Sequence, residues 1–133
     1  MLIQLDVDNT ITWAPGFFAW MSQALKRDGH RVAIVTARGL LPGEPESTEK
    51  QLQGLGLVWD DLILSEPVPE IDSQELPADY PEELLQLWPK LKATMRARPD
   101  LVFDDSEEIS ALFARYMPDI KVMRPLSVLL GRG

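Results

Sequence analysis

The chain contains no cysteine, so disulfides, thiolate nucleophiles and cysteine-based zinc sites are excluded. It holds one histidine, His30, placed between Gly29 and the start of a strand, where no role is expected of it. Cations are scarce: 13 Lys and Arg stand against 21 Asp and Glu, a net charge of −8. A surface of that sign repels phosphate backbones at long range, so nonspecific nucleic-acid binding is not expected. No apolar run is long enough to cross a bilayer. The opening MLIQLDVDNT has no basic leader and reads directly as a strand. No export signal and no membrane association are therefore expected, and the location reads as cytoplasmic. What remains is a chain of 133 residues, 45% of them hydrophobic. That suits one domain with one core over residues 1–133 and is too apolar for disorder.

Strand and helix patterns alternate along the chain. Residues 2–7 are a short apolar run, followed by an amphipathic stretch from Phe17 to Asp28 that Gly29 is placed to end. Phe17, Phe18 and Met21 read as its core face, and Trp20, Trp59 and Trp88 as packing residues. Residues 31–36 (RVAIVT) form a continuous β-branched run, the mark of a strand covered on both faces. A turn-rich loop over 39–46 leads to a short helix from Ser47 to Leu55, then a third strand over 61–65. Prolines and acids make 66–81 a loop. A helical region runs from Glu82 to Arg98, with Pro89 either breaking it or starting a second helix. Residues 101–103 are a fourth strand and 120–123 a fifth. Between them Ser106 caps a helix whose first turn carries Glu107 and Glu108. Residues 125–133 read as a tail. The alternation predicts an α/β fold: a Rossmann-like, three-layer domain with a central five-stranded parallel sheet and helices on both faces.

The informative feature is what ends the strands. The first runs into Asp6-Val7-Asp8-Asn9-Thr10, the second into Thr36 and the fourth into Asp104-Asp105. In a parallel sheet these groups share one edge, where ligands of such folds bind. Four carboxylates gathered there repel one another, and a hard divalent cation with oxygen ligands, Mg2+, would relieve this. Asp6 and Asp8 lie two residues apart, on one face of an extended segment. That spacing lets one carboxylate attack while the other transfers a proton. Thr36 can donate its hydroxyl to a phosphoryl oxygen, and a lysine is wanted to neutralise both. Arg38, in TARG, either reaches a ligand phosphate or is merely exposed. Trp13 either lines an entrance or covers the sheet edge.

DVDNT at 6–10, the strand ending in Thr36, and VFDDS at 102–106 resemble motifs one, two and four of the haloacid dehalogenase-like hydrolases. The resemblance spans residues 2 to about 124. It implies a phosphatase, a Mg2+-dependent phosphomonoester hydrolase with Asp6 as nucleophile and Asp8 as general acid and base. It further implies Thr36 on the phosphoryl group and Mg2+ held by the Asp6 carboxylate, the Asp8 backbone carbonyl and Asp104, with Asp105 as a further ligand or as the lysine's partner. Ligand contacts are expected from Asn9, Thr10, Ala37 and Arg38. Asn9 replaces the family's usual glycine, a mild change because asparagine tolerates left-handed backbone. The family's lysine falls to Lys90 or Lys92, with Lys92 slightly preferred for lying closer to the fourth strand. Too few residues separate the motifs for a cap domain, which implies an open site and a large phosphorylated substrate. Two other functions compete: a receiver-like phosphoacceptor domain, and a noncatalytic binding protein on the same scaffold. A receiver, however, places its phosphoacceptor after the third strand.

Overall fold

The computed structural model describes residues 1–38, 42–64 and 75–125. Five parallel strands pair in the order β3-β2-β1-β4-β5. They are β1 (Leu2–Leu5), β2 (Arg31–Val35), β3 (Asp61–Ile63), β4 (Leu101–Phe103) and β5 (Lys121–Met123). The helices are α1 (Pro15–Arg27), α2 (Glu44–Gly54), α3 (Trp88–Ala97) and α4 (Glu107–Tyr116). This is the three-layer arrangement the alternation of patterns predicts.

Side-chain alternation along the strands builds the layers. Ile3, Leu5, Val32 and Ile34 turn to one face and pack with Phe18 and Ala19 of α1 and Leu52 of α2. Val102 turns to the other face, against Trp88 and Leu91 of α3 and Ile109, Leu112 and Phe113 of α4. Burial of each such large apolar side chain contributes roughly 1.5–3 kcal/mol relative to exposure. Two clusters, one per face, hold β1 and β4 between them. The site residues therefore project from the most constrained part of the sheet.

Several boundaries move from their expected places, each for a local reason. Helix α1 starts at Pro15, whose fixed φ suits a first turn. Its buried face follows Phe18 and Ser22, so Phe17 and Trp20 lie on the opposite side, 50% and 63% exposed. The reading of those two as packing residues is thereby corrected. Helix α2 starts at Glu44, not Ser47, because Gly43 takes a left-handed φ of 87° and Pro45 fits the first turn. Strand β3 stops at Ile63. Its expected end, Ser65, lies outside the described residues, as do 66–74 of the predicted loop and 126–133 of the predicted tail. Pro89 starts a helix: a tight turn over Glu82–Leu87 leads into α3, where Pro89 sits in the first turn. Ser106 caps α4 as expected, its Oγ accepting from the Ile109 amide at 3.2 Å. Among the described residues no helix is long and apolar enough to cross a membrane.

Candidate functional site

Register brings the strand ends together. Leu5 pairs with Ile34 on one side and with Phe103 on the other. The ladder continues one step further: the Asp6 amide donates to the Phe103 carbonyl at 2.9 Å, and Thr36 and Asp104 make the same step onto Ile63 and Met123 at 3.0 Å. Asp6, Thr36 and Asp104 thus stand side by side, just past three adjacent strands. All three are buried.

The lysine that reaches them is Lys90. Its ammonium lies 2.6 Å from Asp6 Oδ1, to which it donates a hydrogen bond, and 2.5 Å from Asp104 Oδ2. The Asp104 contact falls outside hydrogen-bond angles, so it is an ion pair without a directed bond. The other oxygen of Asp104 accepts from the Ser106 amide at 2.9 Å, which fixes the carboxylate at the mouth of α4. Lys92, on the other flank of α3, pairs with Glu75 at 3.0 Å. The structure therefore brings Lys90, not the slightly preferred Lys92, to Asp6.

Past Asp6 the chain makes one wide turn over Val7–Ile11. Asp8 keeps an extended ψ of 133° and Asn9 reverses the path at φ 60°. The asparagine thus occupies a left-handed backbone position, which it tolerates better than most residues. Thr10 is fully buried, and its hydroxyl accepts from the Asp105 amide at 3.2 Å, tying this turn to the β4–α4 loop. The Asn9 amide donates to Thr12 Oγ1 at 3.1 Å. Ala37 is exposed, next to Thr36.

Asp8 does not point toward Asp6's partners. Arg38 holds it side-on, with Nη2 to Oδ1 at 2.8 Å and Nε to Oδ2 at 3.2 Å. The four carboxylates expected around one ion are thus divided. Asp6 and Asp104 share an ammonium, Asp8 faces a guanidinium, and Asp105 is placed through the Thr10 tie. Among the described residues no three or more His, Cys, Asp or Glu side chains converge into a ready cage.

Burial pushes the Asp6 carboxyl up to about 6, and the neighbouring Asp104 adds to that push against the pull of Lys90. Burial works against the charge on Lys90, but Asp104 and Asp6 outweigh it and hold the ammonium above its ordinary value. The hydrogen bonds from Arg38 to Asp8 likewise raise the arginine.

Two residues that position the site are not apparent from the strand-end motifs. Gln4, fully buried in β1 two residues before Asp6, donates from Nε2 to Thr94 Oγ1 at 2.8 Å. Thr94 in turn donates to the Lys90 carbonyl at 2.9 Å. This chain of bonds sets the rotation of α3 so that Lys90 meets Asp6. The available signal is a polar residue inside the apolar run LIQL. Gln4→Leu alone removes one donor from the Thr94 hydroxyl, which keeps its bond to the Lys90 carbonyl, and is expected to lower stability by about 0.5–1.5 kcal/mol. Gln4→Leu with Thr94→Val removes both partners and should recover much of that loss in urea melts. Additive losses in the double variant would reject the pairing.

No protein-family profile matches the chain, and no curated protein matches it. Among solved structures it is similar to a universal stress protein in complex with cAMP, at 10% identity over 92% of this chain and 95% of that one, with a TM-score of 0.38. A likeness so distant carries nothing of that protein's ligand to this chain. The structure named is a universal stress protein, not a haloacid dehalogenase-like hydrolase, and no family profile or curated protein supports that membership. The expected family membership, the phosphatase activity, the assignment as an enzyme and the large phosphorylated substrate are corrected accordingly: the motifs stand without support outside themselves, and the functional reading rests on the site's geometry.

Proposed function

We propose that the protein is a Mg2+-dependent binding domain for a small phosphorylated ligand, whose phosphoryl group meets the edge formed by Asp6, Thr36 and Lys90. The observation that supports this is the buried ammonium of Lys90, pinned between Asp6 and Asp104 beside the Thr36 hydroxyl. An ammonium has three donors; one bonds Asp6, and the charge pairs with Asp104 without a directed bond. Thr36 Oγ1 accepts from the Arg38 amide at 3.2 Å and keeps its own proton to donate. These are donors for an oxyanion, set in a dry place where each counts for more than in water.

The local charge, however, is wrong for a bare anion. Asp6, Asp8, Asp104 and Asp105 outnumber Lys90 and Arg38. A phosphoryl dianion is repelled unless another cation enters with it. Mg2+ suits the role because it needs only one or two carboxylates and completes its shell with water and ligand oxygens. Asp6 and Asp105 are the residues that would hold it, and it would supply charge neutralisation between carboxylate and phosphoryl group. A cavity of about 410 Å3, lined by Ala37, Arg38, Glu44, Ser47 and Thr48, adjoins the site through Arg38 and offers room for a small ligand. A receiver-like role finds less support, because the carboxylate that meets the lysine ends β1 and not β3.

Titration calorimetry with inorganic phosphate near neutral pH tests the reading. Binding is expected with Mg2+ and not without it. Thr36→Val should weaken it about tenfold, the effect of one hydrogen bond to a charged group. Phosphate binding indifferent to both changes would overturn the proposal. So would steady turnover of an aryl phosphate that Asp6→Asn abolishes, because binding would then be a step in a reaction.

A further inference from the structure

Arg38 and Asp8 are unequally anchored. The guanidinium is held from behind: Nη1 donates to Gln51 Oε1 at 2.6 Å and to Thr48 Oγ1 at 3.5 Å, both on α2. Its backbone amide is fixed on Thr36 Oγ1 at 3.2 Å. The side chain is 25% exposed, whereas that of Asp8 is 61% exposed. Asp8 sits beside the left-handed Asn9, on a turn that leaves the carboxylate pointing outward. The arginine is the fixed partner and the carboxylate the movable one.

The edge that Arg38 presents, Nε together with Nη2, is the fork that accepts two oxygens of one carboxylate or one phosphate alike. We propose that this edge is an oxyanion seat which Asp8 fills in the ligand-free protein, and that an oxyanion of the ligand enters it by displacing Asp8. The proposal rests on the phosphoryl-binding reading above and adds to it an exchange of one anion for another. The guanidinium is neutralised before and after, so an acidic protein keeps its arginine satisfied in both states. An exposed ion pair holds weakly against solvent, so Asp8 leaves at small cost. The cavity of about 410 Å3 is lined by the same Arg38 together with Thr48, so open space adjoins the guanidinium.

The test is a double-mutant cycle read with inorganic phosphate in the presence of Mg2+. Asp8→Asn removes the charge that holds Asp8 in the seat and should tighten phosphate binding about two- to fivefold, the range that an exposed ion pair allows. Arg38→Gln should weaken binding. In the Arg38→Gln background, Asp8→Asn should bring no gain. A gain that survives without Arg38 would mean that only a repelling charge had been removed, and would overturn the exchange while leaving the binding reading intact. Weaker binding in Asp8→Asn would overturn it as well. No phosphate binding in any of the four proteins would reject the binding reading itself, and the exchange with it. Both side chains reach solvent, so these variants are expected to fold.

Discussion

Lys90→Met is expected to lower the stability of the folded protein by about 3–5 kcal/mol near neutral pH, the cost of leaving a buried ion pair without one partner. The methionine is unbranched and only one atom shorter than the lysine, so the volume filled is nearly conserved and the loss is mainly electrostatic. Asp104 has no solvent contact and Asp6 has little. Without the ammonium, their two charges face each other with nothing between them. The pH dependence separates this cause from a packing defect. Asp6 already titrates near 6 in the native protein, and without Lys90 it should protonate at still higher pH. The deficit against the native protein should therefore shrink as the solution is acidified below neutrality. Urea melts at several pH values read this directly. A loss that stays constant from acid to neutral pH would show that Lys90 acts through shape alone.

Asp6→Asn should move stability the other way. The carboxyl is raised from 3.8 to about 6 in the folded chain, so between these values the native state holds the proton more tightly than the unfolded state. Its contribution to stability is fully present below the unfolded value and lost as pH rises through about 6. Above that pH the native protein carries a buried charge that asparagine does not. The variant should be more stable by roughly 1–3 kcal/mol in mildly alkaline solution. The difference should vanish toward pH 4. Thermal melts at the two ends of the range decide it. A variant less stable than the native protein in alkali would show that the Lys90–Asp6 pair outweighs the cost of burying the carboxylate. If Mg2+ binds at Asp6 as proposed, its presence should narrow the difference, because a carboxylate holds the ion more strongly than a neutral amide.

Much of the sheet and of its reactive edge was legible in the sequence, because a parallel sheet turns linear order into position. An apolar run followed at once by Asp6, Thr36 or Asp104 places each polar group one step beyond a strand, and register does the rest. The choice between Lys90 and Lys92 was not legible in this way. The apolar stripe of α3, Trp88, Leu91 and Met95, leaves the two lysines on opposite flanks. Thr94 breaks the tie, and only the burial of Gln4 opposite it shows why. The start of α2 was hidden by Gly43 and Pro45, which read as loop residues until the left-handed φ of the glycine makes them a helix entry. The turning of Asp8 onto Arg38 was hidden too. The sequence shows a DxD, and extended geometry sends both carboxylates to one face, but the left-handed Asn9 and the bracing of Arg38 by Gln51 come from separate segments. Phe17 and Trp20 misled because aromatic residues at helical spacing count as core by composition, while the phase set by Phe18 and Ser22 sends them outward.

The central position of β1 has a kinetic consequence. The amide that begins the site, that of Asp6, is bonded to Phe103 one step past the end of a strand with neighbours on both sides. Its hydrogen should exchange with solvent only when the whole sheet comes apart, on the slowest timescale of the molecule. The floor of the candidate site and the molecule's resistance to unfolding are therefore one structure, and conditions that loosen the first should be found to melt the second.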